Sequence, residues 1–298
     1  MSKGSIQIPD VVVLALAAQA EGDRDTARAL FDKLVAVPDV ADSYRHLIRL
    51  LADRLGIASQ NQPQRDESHA FFQPPRSCQI PGLGALYERL FGLKRDGVFV
   101  EVGAFDGEWV SNTCCLADLG WSGLMIEPHP VSFALCKARH QGNPGVHVVN
   151  CAVGPTAGMA TLFLGEALST TVAEQVELYR EIEWARPFHS GQRVEVPQLR
   201  LDSLLETSGT APGFDLLAID VEGSELSVMN SFDLGFWRPH AVIVELMDAA
   251  QDSKADRRIV EQCAEIRARL AAQGYSACFS DETNTVFARE AARAASPS

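Results

Sequence analysis

Between residues 11 and 55 apolar residues recur at intervals of three and four: Leu14, Ala18, Ala27, Leu30, Phe31 and Leu34, then Leu47, Leu50 and Leu51. That spacing lines one face of a helix with 3.6 residues per turn, so residues 1–57 predict a small helical unit turning at Gly22-Asp23. The pattern stops at residue 58. Residues 58–78, containing "ASQNQPQRDESHAFFQPPRS", are polar and carry three prolines, which predicts a linker or an arm laid across a surface, with Phe71-Phe72 docking somewhere. After a short helical stretch near 83–92, compact apolar runs alternate with helical segments: "GVFVEVG" (97–103), "GLMIEP" (123–128), "VHVVNCAV" (146–153), "DLLAIDV" (215–221) and "HAVIVEL" (240–246). Continuous apolar runs are what strands need when both faces of a sheet are covered, so residues 79–290 predict an α/β domain with a mostly parallel sheet. Residues 291–298 read as a disordered tail.

Two features modify this outline. The helical unit, with Ala18, Gly22, Ala27, Phe31 and Pro38, resembles one tetratricopeptide repeat and would suit a protein partner. A single repeat cannot bury its own face, and an ordinary helical hairpin packed on the main domain fits the same spacing. The second feature is an insertion at about 155–200, charged and aromatic, expected as a cap over the strand ends, where loops carry substrate contacts.

Charge and cysteine usage narrow the function classes. Lys and Arg number 26 against 39 Asp and Glu, a net charge of −13, which opposes the counterion-release binding that draws proteins to nucleic acid and to anionic membranes. The seven cysteines include no C-x-x-C pair, as expected of reduced thiols in a cytoplasmic protein. The apolar run at 11–20 has a signal-like A-x-A end, but Asp10 borders it directly and only Lys3 precedes it, which argues against a secretory signal; it is too short to span a bilayer.

The candidate chemistry begins at "VFVEVGAFDGEW" (98–109). A glycine turn after a first strand lets a ligand approach the backbone. A dinucleotide loop would read G-x-G-x-x-G and place pyrophosphate on a helix N-terminus; here the pattern is E-x-G-x-x-x-G, and Glu101 at the strand end would repel a phosphate. S-adenosylmethionine, with no phosphate, a sulfonium and an α-ammonium group, suits an acid-lined loop. Glu101 or Asp106 would meet the ammonium. Glu127, closing the second strand beside Pro128, would accept from both ribose hydroxyls, a role that an acid at this position also plays in dinucleotide folds.

The run from Val98 to Phe133, followed by "RLDSLL" (200–205), "LLAIDVEGSEL" (216–226) and "AVIVEL" (241–246), resembles the FkbM-type methyltransferases, a branch of the class I S-adenosylmethionine-dependent enzymes. The resemblance covers about residues 79–288. It implies a Rossmann-like sheet of seven strands whose last strand is antiparallel, supplied by "GYSACFS" and "NTVFARE". Carried onto this chain, it places Glu101, Gly103, Phe105, Asp106 and Gly107 in the cofactor loop, Asn112 at a helix start, Glu127 and Pro128 at the ribose, and Cys151-Ala152 beside adenine. One departure stands out: the family often has lysine just before I-D-V-E-G, where this chain has Ala218.

Methyl transfer is an in-line displacement at carbon, for which an enzyme aligns nucleophile and methyl and removes a proton from an attacking hydroxyl. Asp220, Glu222 and Glu245 fall at the ends of two neighbouring strands and would converge there as catalytic groups. Glu222 and Glu225 also stand where a helix begins, which alone would account for an acid. The same oxygens, Asp220 and Glu245 above all, would suit Mg²⁺, and the spacing leaves base and metal both open. His129, His189 and His240 are further base candidates. The expected function is S-adenosylmethionine-dependent methylation, on a hydroxyl of a sugar, glycan or secondary metabolite. The alternative is a binding or scaffold protein that recruits a partner through the helical unit and keeps only the fold.

Overall fold

The computed structural model describes residues 71–75, 78–80, 82–182, 185–189, 191–247, 257–281 and 283–289, with Thr26 and Ala29, both helical and exposed. The expected helical unit is otherwise outside the described residues, as are the linker up to residue 70 and the tail. From Phe71 onward the described residues belong to one compact unit, Arg65–Ser298.

The elements are α1 (Leu83–Phe91), β1 (Val98–Val102), α2 (Cys114–Asp118), β2 (Ser122–Ile126), α3 (Pro130–Arg139), β3 (Val146–Val149), β4 (Ala152–Val153) and β5 (Gly158–Phe163). They continue with α4 (Ala173–Glu181), β6 (Arg193–Leu199), α5 (Leu201–Ser208), β7 (Leu216–Ile219), α6 (Glu225–Met229), α7 (Leu234–Trp237), β8 (Ala241–Glu245), α8 (Arg257–Ala272), β9 (Tyr275–Ser280) and β10 (Asn284–Arg289). Seven strands form one sheet in the order β3-β2-β1-β7-β8-β10-β9. Its first five strands pair in parallel, and β10 runs antiparallel to both of its neighbours. The expected Rossmann-like arrangement, with the last strand reversed, is therefore present.

Alternation along each strand sends side chains to the two faces. Val100, Val102, Leu217, Ile219, Val242 and Val244 enter one buried cluster, while Phe99, Leu216, Ala218, Ala241 and Ile243 enter the other. Phe72 completes the second cluster: it is fully buried, edge-on to Tyr87 at 5.7 Å and to Trp121 at 6.2 Å. The docking expected of Phe71-Phe72 is thus resolved, with the Arg95 guanidinium 4.8 Å above the Phe71 ring.

One expected strand divides. Residues 146–153 form β3 in the main sheet and β4 in a separate three-stranded sheet, order β4-β6-β5. Asn150 turns the chain between them by donating Nδ2 to the carbonyls of Glu127 and Pro128, at 2.8 and 3.0 Å. The small sheet and α4 build the 155–200 insertion. None of the described helices is long and apolar enough to cross a membrane.

Strand order reverses between β1 and β7, since β2 lies on one side of β1 and β7 on the other. In open parallel sheets ligands bind beyond the carboxyl ends of the strands at such a reversal. Gly103 and Asp220 are the residues that leave β1 and β7 there.

Candidate active site

The loop after β1 and the loop after β7 touch through a glycine. Gly103 has φ 89°, a left-handed conformation that disfavours side chains, and a Cβ on it would overlap the carbonyl oxygen of Asp220. Gly107, with φ 77°, packs against α3: a Cβ there would lie 2.8 Å from the His140 ring. Its carbonyl accepts from His140 Nε2 at 2.8 Å. Both glycines of the cofactor-loop pattern therefore have a conformational and packing duty inside the protein. Phe105, at φ 47°, is a strained position in the same loop.

The acids around this loop are buried and supplied with donors. Glu101 accepts from Thr113 Oγ1 at 2.7 Å, from the Asn112 backbone N–H at 3.3 Å and from Ser111 Oγ at 3.2 Å. Ser111 in turn accepts from the N–H groups of Thr113 and Cys114, which opens α2 just after Asn112. Burial raises the Glu101 carboxyl to about 7 despite those donors. Asp106 Oδ1 accepts from the N–H groups of Glu108 and Trp109, which holds the loop in a tight turn. Glu127 bridges two loops: one oxygen takes the Phe105 N–H at 2.8 Å and the other the His129 N–H at 2.7 Å. Burial pushes its carboxyl to about 8. Cys151 and Ala152 are buried beyond β3, and Pro128 is half-buried beside Glu127.

Across the Gly103 contact the arrangement is different. Asp220, Glu222 and Glu245 each offer a carboxylate oxygen within 4.8 Å of the others. Burial raises all three pKa values, and the Asp220 charge adds to the rise at Glu222 and Glu245. A hydrogen bond with Glu245 and a second with Gln79 partly offset the shift at Asp220. Glu222 sits at φ 54°, in the left-handed region, rather than in a helix. The insertion holds it there: Thr170 Oγ1 donates to its carbonyl at 2.8 Å and the Tyr179 hydroxyl donates to Oε2. This is the cap over the strand ends that its position implies. Glu225, in contrast, is satisfied locally, its Oε1 taking the Val221 and Gly223 N–H groups at 3.2 and 3.0 Å.

Residues 101–277 match the Methyltransferase FkbM domain, more than half of the chain. The protein belongs to the FkbM methyltransferase family. No curated protein sequence is significantly similar to it. Among solved structures, an O-methyltransferase from Bacillus cereus in complex with SAH is 13% identical, with 72% of this chain and 84% of that one covered at a TM-score of 0.40. A putative O-methyltransferase from Klebsiella pneumoniae is 12% identical over 72% and 83% at 0.40. The O-methyltransferase TomG from Streptomyces achromogenes, in complex with SAM, is 17% identical over 68% and 76% at 0.38.

In this family member Ala218 is the register partner of Glu101 on the adjacent parallel strand, so a lysine at 218 would stand beside that acid. Here Thr113, Ser111 and Asn112 supply the donors instead. The three histidine candidates separate clearly. His129 caps α3 through Nδ1, which accepts from the Val131 and Ser132 N–H groups. His240 is exposed just before β8, at the opposite end of that strand from Glu245. His189 stacks on the Tyr179 ring at 5.1 Å, and Tyr179 in turn donates to Glu222. Gln79, Tyr179 and Asn284 were not singled out from the sequence. Tyr179 carried only the general aromatic character of the insertion, while Gln79 and Asn284 carried no motif.

Proposed function

We propose that this FkbM-family methyltransferase transfers a methyl group from S-adenosylmethionine to a hydroxyl of a sugar, glycan or secondary metabolite. The observation that carries the reading is the Gly103–Asp220 contact, which sets a phosphate-repelling, acid-lined loop directly beside a cluster of basic carboxylates.

The residues present suit the donor. A carboxylate oxygen can accept two hydrogen bonds, and each Glu127 oxygen has one backbone N–H, which leaves capacity for two ribose hydroxyls. Cys151 and Ala152 would flank adenine, and Phe105, Gly107, Asn112 and Pro128 would shape the remaining walls. Glu101 and Asp106 lend negative charge that favours an ammonium and a sulfonium. The bound donor supplies an electrophilic methyl on sulfur.

On the acceptor side the chain must take a proton. With the donor bound, the chain would hold the acceptor oxygen in line with the methyl and take the hydroxyl proton onto a carboxylate of the cluster as the methyl passes to oxygen and its former bond pair stays on sulfur. Three acids that meet within 4.8 Å at the mouth of β7 and β8, with few donors around them, support one of Asp220, Glu222 and Glu245, in its ionised form, as the proton acceptor. The −13 charge supports a small-molecule or glycan acceptor over a nucleic acid. The 1–57 unit would serve a protein partner.

The test is incubation of the full chain with radiolabelled S-adenosylmethionine and a panel of hydroxylated acceptors. Acceptor-dependent label transfer, with equal release of S-adenosylhomocysteine, is expected. Tight cofactor binding with label transferred only to amine or thiol acceptors would move the nucleophile away from oxygen.

A further inference from the structure

We infer that the mouth of β7 and β8 is a binding site for a hard divalent cation, held by Asp220, Glu222 and Glu245 with the carboxamide oxygen of Asn284 at its edge. The inference rests on the reading of this mouth as the acceptor side of the active site.

Geometry comes first. Three ligand oxygens lie within 4.8 Å of one another. Two oxygens on a single Mg²⁺, bound at 2.0–2.1 Å, stand at most about 4.2 Å apart, and on Ca²⁺, at 2.3–2.6 Å, about 5 Å apart. The widest pair in the cluster therefore fits across a Ca²⁺ ion, and would close by about 0.6 Å to sit across Mg²⁺.

The second observation is a shortage of donors. Glu245 is 6% exposed, and its Oε2 is buried without a hydrogen-bond partner. Asn284 faces Glu245 across the β8–β10 pair and is 1% exposed. Its Nδ2 donates to Gln79 Oε1 at 3.1 Å, and Gln79 also contacts Asp220, while Asn284 Oδ1 is left buried without a partner. Among the described residues no lysine, arginine or histidine forms an ion pair with any of the three acids. Buried charges persist when paired or when they coordinate a metal, and a buried acceptor lacking a donor is costly. Everything unsatisfied here is an oxygen acceptor, the ligand type of Mg²⁺, Mn²⁺ and Ca²⁺.

The backbone adds a third point. Glu222 is held at a positive φ by Thr170, a conformation that costs on the order of 1–3 kcal/mol and that directs an acid toward two others. That backbone adds a third acid to Asp220 and Glu245, whose carboxyls hydrogen-bond each other and so share a proton that a cation would replace. Bound there through one oxygen of each acid, the cation would take the acceptor hydroxyl as a further ligand and lower its pKa, and the proton would pass to a carboxylate oxygen of the cluster that is not on the cation.

The experiment is Mn²⁺ binding to the full chain, followed by electron paramagnetic resonance without S-adenosylmethionine. One Mn²⁺ should bind and be displaced by Mg²⁺ or Ca²⁺, with affinity rising from pH 6 to 8 because bound protons must leave. Glu245→Gln and Asp220→Asn should each weaken it by more than about tenfold, and the surface change Glu177→Gln should leave it unaltered. The absence of competable Mn²⁺ binding to the wild type at pH 8, or equal binding by folded Glu245→Gln and Asp220→Asn, would overturn the inference and leave a cluster that shares protons. Calorimetric titration with S-adenosylmethionine in a chelator reads the donor site separately. Failure of that titration would count against the proposed function and not against the cation.

Discussion

Two groups of buried acids flank the Gly103–Asp220 contact, and they are treated in opposite ways. Around the β1 loop, Glu101, Asp106 and Glu127 are met by backbone N–H groups and hydroxyls at distances of 2.7–3.3 Å. At the mouth of β7 and β8, three acids share the Tyr179 hydroxyl and the Gln79 amide, and Glu245 Oε2 has no partner. A donor-rich acid is fixed in place and can only complement a ligand that fits around it. A donor-poor acid is fixed by little and must find its partner in what binds or reacts. On the proposed function, the first group would serve recognition and the second chemistry.

The largest expected effect breaks the second group. Asp220→Asn should lower turnover by roughly 10²–10⁴-fold, the range for losing a general base, while the fold and donor affinity are kept. Steady-state rates with a working acceptor check this, and turnover within a few-fold of wild type would return Asp220 to a structural role. Next is the contact between the groups. Gly103→Ala would need a positive φ and a backbone overlap with Asp220 to be relieved at once, so a loss of about 3 kcal/mol or more in urea melts is expected. An alanine variant of wild-type stability would show that the two loops separate freely.

Much of this layout was legible in the sequence because it follows from patterning. The apolar runs at 98–102, 216–219 and 241–245 fix parallel strands buried on both faces, and acids at their ends must then gather at one edge of the sheet. The spacing of Glu101, Gly103 and Glu127 likewise puts two acids and a glycine at the ends of neighbouring strands. Three things were not legible. The break at Asn150, which turns residues 146–153 into two strands in two sheets, depends on a side chain bonding to the carbonyls of Glu127 and Pro128. The packing roles of Gly103 and Gly107 depend on which loop arrives next to them. Tyr179, Gln79 and Asn284 reach the cluster from segments distant in the chain, and only the fold brings them there.

A smaller effect sharpens the comparison through pH. Carboxyls whose folded pKa values lie above their unfolded values make the native state hold extra protons, so their stabilisation is present below the usual carboxylate range and is lost as pH rises through the raised values. For Glu101 and Glu127 that loss runs up to about 7 and about 8, and the Asp220 cluster acts in the same direction. The ligand-free protein should therefore melt lower at pH 8.5 than at pH 5.5, by several degrees. Glu245→Gln should reduce that slope, and divalent cation should restore stability at the alkaline end if the cluster binds it.

The division of labour is tested most directly by calorimetric titration of S-adenosylmethionine into the wild type, Glu127→Ala and Asp220→Asn side by side. Loss of charge-assisted hydrogen bonds to ribose should weaken binding to Glu127→Ala by on the order of 1–3 kcal/mol, roughly 5- to 150-fold. Asp220→Asn should bind within a few-fold of the wild type. Unchanged affinity in folded Glu127→Ala, or a larger loss in Asp220→Asn than in Glu127→Ala, would contradict the assignment of recognition to one group of acids and chemistry to the other.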